Sequence, residues 1–429
     1  MTKSRWWLVL PQWALILAFF VMVARHVLLP YDVFRDIIIG WGVYSYNFVF
    51  LDTDTVLSAV RCFNMGVDAY LTNPCDDLER VYTYSPLWMA LRVFPMTQAW
   101  LVPIGLIVVC SFMASLFCLP RPHSLGGAVL LTLGVLSSTT VFAMERGNND
   151  LVLFTLAACG AALCIRSSLA RYASYACFLL AGLLKYYPMV LLAIAAKESP
   201  RRLVIVAATA TAIALLFIVL LWGDLMKAFQ NIPHFDLYFT WFGAEALAQH
   251  IALLSGTGEG AVPAIRLVMT GLALVAGTII AFRPQTREAF DRLDAKELVF
   301  LIAGALLMTS CFFTALNIWY RTIHILLTLP ALIVLSGRAS PKRFNFALAG
   351  ALALLWWNPV WRDFVIGSLT SDPDMQATYR IVFTLWRELC WWFLMVIYLS
   401  FIVRFCFDAP LVKKIPRMEP SARRTQSPA

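Results

Sequence analysis

Apolar runs recur along the whole of this chain, and no other feature restricts its fold as much. At about 1.5 Å of rise per residue, a run of roughly twenty apolar residues crosses the hydrocarbon core of a bilayer. About twelve membrane segments are read from the sequence: roughly 6–28, 98–119, 124–144, 150–165, 172–184, 186–196, 203–222, 263–282, 298–317, 320–336, 345–361 and 382–405. Composition agrees, with 14% charged residues and 61% hydrophobic ones, where soluble domains carry about a quarter charged. The mean hydropathy is +0.75. The expected fold is all-α, a polytopic membrane helical bundle. Residues 1–405 form one integral domain and 406–429 a basic cytoplasmic tail. The first run follows MTKSR with no small-residue cleavage site, so it reads as a retained helix and not a removed signal.

Charge orients the bundle. With the N-terminus inside, Lys and Arg concentrate in the short inner loops and the acids in the longer outer ones. Both termini are then cytoplasmic, in a plasma (inner) membrane, and the large loops face the exterior or periplasm. The net charge of +9 thus reports topology and implies no nucleic-acid partner.

This orientation requires the run 172–196 to break. It contains a single charge, Lys185, within AGLLKYYPMV. As one helix it would bury an ammonium near the bilayer centre, at a cost of a few kcal/mol. It would also place KESPRR outside. Two short segments hinged at KYYP avoid both, and Pro188 disfavours helix in the residue before it. Such half-helices persist where protein surrounds them and they line a wet cavity. Lys185 then sits at the outer mouth of that cavity. It is either a snorkelling side chain or a cation for a bound anion, phosphate being the obvious one beside a membrane.

Four outer stretches carry further polar chemistry. The first is the loop 30–97. Its patch 36–50, DIIIGWGVYSYNFVF, suits a helix lying in the interface. Asp52 and Asp54 follow. Two residues apart, they do not share a helix face, so one of them points into any given site. They read as solvated acids, as an N-cap, or as one positioned general base. The second stretch is MERGNND, with Arg146, Asn148, Asn149 and Asp150 in one tight turn, where Asp150 or Asn149 could simply cap the next helix. The third holds Tyr238, Phe239, Trp241 and Phe242, either an aromatic wall for a sugar or lipid or an interfacial belt. The fourth is TALNIWYRTIHILLTLP, which sets Arg321 and His324 on one helix face. Cys62 and Cys75 are the two cysteines placed outside the membrane, and an oxidising compartment would let them pair. No metal-binding spacing, phosphate-binding loop or nucleophile elbow occurs.

These residues resemble the GT-C fold of membrane glycosyltransferases, and within it the polyprenol-phosphate-mannose-type alpha-mannosyltransferase and arabinofuranosyltransferase branch. Three matches carry the likeness, all in about the first 200 residues. One is an acid early in the first outer loop, then G-x-D-x-Y and Y-x-Y-x-P, here Asp52, Gly66, Asp68, Tyr70, Tyr82, Tyr84 and Pro86. Another is R-G-N-x-D opening a helix, here Arg146, Gly147, Asn148 and Asp150. The last is a tightened A-G-L-x-K-x-x-P, here Ala181, Gly182, Leu183, Lys185 and Pro188, while the second half matches in its helix count and in a Tyr-Arg-x-x-His element, here Tyr320, Arg321 and His324.

The resemblance implies sugar transfer outside the cytoplasm from a polyprenyl-phosphate donor to a lipid or glycan acceptor, among membrane lipids. It implies that the loop acid is the base, with Asp52 matching better than Asp54. Chemistry points the same way. A lipid-phosphate sugar already carries a good leaving group, so the enzyme must deprotonate an acceptor hydroxyl and neutralise phosphate charge. One carboxylate does the first, with inversion at the anomeric carbon. Lys185, Arg321 and Arg146 are candidates for the second, with Tyr84, Asn148, Asp150, His324 and Trp241 binding substrate. No cofactor is required, although the outer acids could hold a divalent cation. A transporter or lipid flippase is the competing class, since it too uses broken helices and buried charge. The halves show no internal repeat, however, and the charges gather at the outer side. A catalytically dead accessory subunit is a third reading.

Overall fold

The fold comes from a computed structural model that describes residues 6–28, 30–43, 45, 48–232, 241–314, 317–337 and 341–410. Tyr238, Phe239 and the tail from residue 411 onward lie outside the described residues.

Among the described residues the chain is all-α apart from one two-residue antiparallel pair, Trp241–Phe242 with Asn317–Ile318. Six of the described helices are long and apolar enough to cross a membrane: Trp6–Leu28, Gln98–Cys118, Pro200–Gln230, Glu259–Ala281, Ala295–Thr314 and Pro373–Phe407. A seventh arises if Leu125–Val135 and Ser138–Glu145, bent by 42°, form one span. The about twelve segments read from the sequence therefore include pieces that do not meet this criterion. Asn149–Cys164, Tyr187–Lys197 and Trp319–Leu335 are apolar but short. At 10–17 residues they fall short of the roughly twenty that a bilayer crossing takes, so such pieces depend on the longer helices around them.

Burial separates the two groups. The most apolar window of Ala295–Thr314 is 78% buried within the protein, against 11% for Pro200–Gln230 and 17% for both Trp6–Leu28 and Glu259–Ala281. Ala295–Thr314 is thus the centre of the bundle, and the other three present apolar faces outward, as lipid contact requires. Around that centre pack Ile325–Leu335, the Tyr187–Lys197 segment and Pro373–Phe407. Asn149–Cys164 and Ser168–Lys185 form a close hairpin.

The break in 172–196 is present. An α-helix runs Ser168–Lys185 and stops at Tyr186, whose φ of 55° and ψ of −55° continue no regular element. The second segment differs from the expected half-helix: Tyr187–Lys197 is 3-10, with Pro188 in its first turn. A 3-10 run gains more length per residue than an α-helix, so eleven residues reach further.

The loop 30–97 also departs from expectation. Its first helix is Tyr31–Gly40, burying Phe34 and Ile38, and it covers only the start of the 36–50 patch. Gly42, at φ 82°, turns the chain away. The next helix, Leu51–Asn64, is packed inside the protein: its stretch Leu51–Val60 is buried throughout. A disulfide joins Cys62 to Cys75 with 5.8 Å between Cα atoms, as the sequence allowed. Beside it Arg61 donates to the Cys75 carbonyl at 2.8 Å, and Arg80 grips Asp76 at 2.7 Å.

Candidate active site

Two sequence-distant segments are sewn together at the backbone. The Phe50 amide donates to the Glu145 carbonyl at 2.8 Å and the Asp52 amide to the Arg146 carbonyl at 3.0 Å. Thr53 Oγ1 donates to the Gly147 carbonyl at 2.7 Å. This close approach needs glycine at 147. Its φ is 54°, a region costly for other residues, and a Cβ there would collide with Thr53 Oγ1 and Phe50. The DTD helix start and the ERGNN turn are therefore one structural unit.

Within it the two aspartates diverge, as residues two apart on a helix must. Neither caps the helix, for the N-cap position is Phe50. Asp52 faces the turn, where Asn148 Nδ2 donates to its Oδ2 at 2.5 Å and Arg146 Nη1 lies 3.7 Å from its Oδ1. Asp54 faces the disulfide side, 3.4 Å from Arg61, and burial pushes its carboxyl up despite that guanidinium. Asn148 is the N-cap of Asn149–Cys164: its Oδ1 accepts from the Asp150 amide at 2.7 Å while its amide group holds Asp52. The cap is thus Asn148, and Asp150 is free for another role.

That role is the hub of a buried charged cluster. Asp150 is 0% exposed. Its Oδ2 receives Lys185 Nζ at 2.8 Å, with Arg321 Nε at 3.6 Å. Its Oδ1 receives the Tyr187 hydroxyl at 2.7 Å, with His324 Nε2 at 3.9 Å. Tyr187 and His324 Nε2 lie 2.6 Å apart. A hydroxyl has one proton, here given to Asp150, so the histidine donates from Nε2. Arg321 and His324 meet Asp150 together because Trp319–His324 is a 3-10 helix, in which residues three apart eclipse. Arg321 also donates to Asn317 Oδ1. Two cations against one carboxylate leave the cluster with one surplus positive charge.

Tyr84 and Tyr320 connect the two groups. Lys185 Nζ stands 5.6 Å from the Tyr84 ring centre. Both tyrosines feel the charges of Asp52 and of Arg321. The structure therefore brings Asp52, Arg146, Asn148, Tyr84, Asp150, Lys185, Arg321 and His324 into one neighbourhood. Trp241 falls outside it. It pairs with Ile318 and lines a narrow pocket with Phe242, Trp319, Trp357 and Trp391.

Tyr320 is the tyrosine of the Tyr-Arg-x-x-His element. Two members were not singled out in the sequence. Tyr187 lies inside KYYP, and its reach to Asp150 depends on the turn at Tyr186. Glu145 stands beside Arg146 in MERGNND and is 7% exposed. A carboxylate at the apolar end of a membrane helix was the available signal. No cluster of three or more His, Cys, Asp or Glu able to hold a metal occurs among the described residues.

The model of glycosyltransferase family 87 matches residues 82–310. That stretch is more than half the chain and contains Tyr84, Arg146, Asn148, Asp150 and Lys185. Asp52, Arg321 and His324 lie outside it. No curated protein and no solved structure matches the chain.

Proposed function

The chain belongs to glycosyltransferase family 87 and is a glycosyltransferase, and from that premise we propose that it moves a sugar from a polyprenyl-phosphate donor to a lipid or glycan hydroxyl on the extracytoplasmic side. The observation that carries this reading is the pairing of a positioned carboxylate with a cationic cluster. Asp52 is oriented by Asn148 and Arg146, and Lys185 stands over the Tyr84 ring with Arg321 beside it at Asp150.

Asp52 acts as general base, taking the proton of the acceptor hydroxyl as its oxygen attacks the anomeric carbon. The bond from that carbon to the phosphate oxygen breaks on the opposite face, which inverts the configuration. The surplus positive charge of the Lys185–Asp150–Arg321 cluster stabilises the departing lipid phosphate. Asp150 holds both cations in place, and Tyr187 and His324 hold Asp150. Arg146, flanked by carboxylates, serves the base and not the phosphate. The mannose and arabinofuranose donors of the resembling branch are the first sugars to try.

Purified protein in membrane lipids, offered a panel of polyprenyl-phosphate hexoses and pentoses, is expected to transfer one of them. Asp52→Asn should lower kcat by about 10²–10⁴-fold, and Asp54→Asn much less. Wild-type rates from Asp52→Asn would remove the base. Equal loss from both variants would leave the base unassigned between positions 52 and 54.

A further inference from the structure

A group of indole rings near the charged cluster takes no part in the mechanism above. Trp357, just past the end of the Lys342–Trp356 helix, is a wall of two spaces. The narrower is the pocket it shares with Trp319. The wider, of about 280 Å³, lies among the end of that helix, the helix Pro359–Leu369 and the outer part of Pro373–Phe407. One water needs about 15 Å³, so the wider space has room for a much larger group. Its walls are the rings of Trp356, Trp357, Trp361, Phe383 and Trp386. The polar groups between them are engaged. Asn358 accepts from the Trp361 amide at 2.8 Å and donates to the Trp356 carbonyl at 3.2 Å, and Arg362 lies 3.0 Å from Asp363. Apolar surface therefore faces the space. Trp361, Val365 and Trp386 are exposed, which puts its mouth on the outside of the bundle, where lipid lies.

The narrow pocket links this space to the surroundings of Asp52. Residues three apart on the 3-10 helix Trp319–His324 share a face. Arg321 and His324 form the face turned to Asp150. Trp319 and Thr322 form another, and both line the narrow pocket. Trp319 stacks on Phe142 at 4.3 Å, and Thr322 Oγ1 lies 3.0 Å from Thr139 Oγ1. Phe142 and Thr139 belong to the helix that runs into the turn holding Asp52. Arg146 lies 5.0 Å from the Phe142 ring and 3.7 Å from Asp52. The aromatic spaces are thus on a different side of Trp319–His324 from Lys185 and Arg321, and they adjoin the residues around the base.

Resting on the transfer reaction given above, we propose that the wider pocket holds the hydrocarbon chain of the acceptor, so that the accepting hydroxyl belongs to a lipid and not to a free glycan. The donor's phosphate, at Lys185, leaves this side to the acceptor. Water does not drive the chain in, because the chain comes from lipid that is just as apolar. The ring walls fix its course instead, and so bring the headgroup hydroxyl to Asp52 in one orientation.

The test labels the full-length protein in membrane lipids and needs no turnover. Dodecyl glycosides of glucose, mannose and galactose carry a diazirine at the chain end, and phosphatidylcholine carries the same group on one acyl chain. After illumination, labelled peptides are identified by mass spectrometry. At least one glycoside is expected to label residues 353–365 or 383–386 several-fold more than phosphatidylcholine does. Ala353→Phe adds a ring to the pocket wall and should cut that label several-fold. Excess polyprenyl phosphate should leave it unchanged. Label equal to that from phosphatidylcholine would make the pocket a place for bulk lipid, and label displaced by polyprenyl phosphate would give it to the donor. Either result overturns the proposal, as does label indifferent to residue 353. If Ala353→Phe does not accumulate in membranes, Trp386→Ala at the mouth decides: it should lose the preference for glycoside over phosphatidylcholine, and a kept preference overturns the proposal. Asp52→Asn should be labelled as the wild type is. A sugar panel without transfer, beside intact selective labelling, would therefore remove the polyprenyl-phosphate donor while upholding the pocket.

Discussion

At the scale of single residues, removing Lys185 takes one of the two cations from the fully buried carboxylate of Asp150, which keeps Arg321 and Tyr187; breaking a buried pair costs up to about 3–5 kcal/mol, so a simple loss of activity would be ambiguous. The informative comparison is Lys185→Met against Lys185→Met with Asp150→Asn. The single variant is expected to be inactive and poorly folded. The double variant should recover its melting temperature and remain inactive, because the cation proposed to meet the phosphate is still missing. Recovered transfer would reduce Lys185 to a counter-ion for Asp150. A lone ammonium in an apolar run was enough to require a break, and the helix ends at that residue. Its partner was not legible, because Asp150 stands 35 positions earlier and comes within 2.8 Å only through the fold. Asp52 and Asp54 were separable in advance, since a helix sends residues two apart to different faces. Which face met Asn148 depended on contacts 96 residues away, and no local spacing encodes that.

Among elements, the turn at 145–148 organises more than any helix. It ends one helix, caps the next through Asn148 and receives the backbone of Phe50 and Asp52. Gly147→Ala tests how tightly this is set. The substitution meets both an unfavourable φ and a collision with Thr53, and such strain costs about 1–3 kcal/mol. Reduced thermal stability in detergent and a several-fold drop in kcat are expected. An unchanged melting temperature and rate would mean that the two segments are not held as described. The motif R-G-N-x-D was legible, and so was the chance of pairing Cys62 with Cys75. The 3-10 character of Tyr187–Lys197 and Trp319–His324 was not, because apolar periodicity cannot separate a short 3-10 run from a short α-helix.

For the whole molecule, membrane class followed directly from composition, while the number of crossings did not. Hydropathy marks apolar stretches wherever they lie. Burial then divides them into lipid-facing helices such as Pro200–Gln230 and enclosed ones such as Ala295–Thr314. The orientation inferred from the Lys and Arg bias predicts that cysteines introduced at Glu79 and at Thr257, in the two large outer loops, react with an impermeant thiol reagent in intact cells. A cysteine at Arg287 should react only after the cells are opened, and the opposite pattern would turn the proposed site toward the cytoplasm. The enclosed short elements explain how a polar cluster can exist here at all. Long helices supply the solvent-like shell, and the broken ones bring backbone turns and charged side chains to one depth.

The seam between residues 50–53 and 145–147 also bears on engineering. Asp52, the proposed base, travels with a turn nearly a hundred residues downstream, so a chimera that transplants the loop 30–97 alone would carry an aspartate without its cradle. Exchanging residues 48–64 and 142–150 as a matched pair is the smallest graft that moves Asp52 together with that cradle between scaffolds.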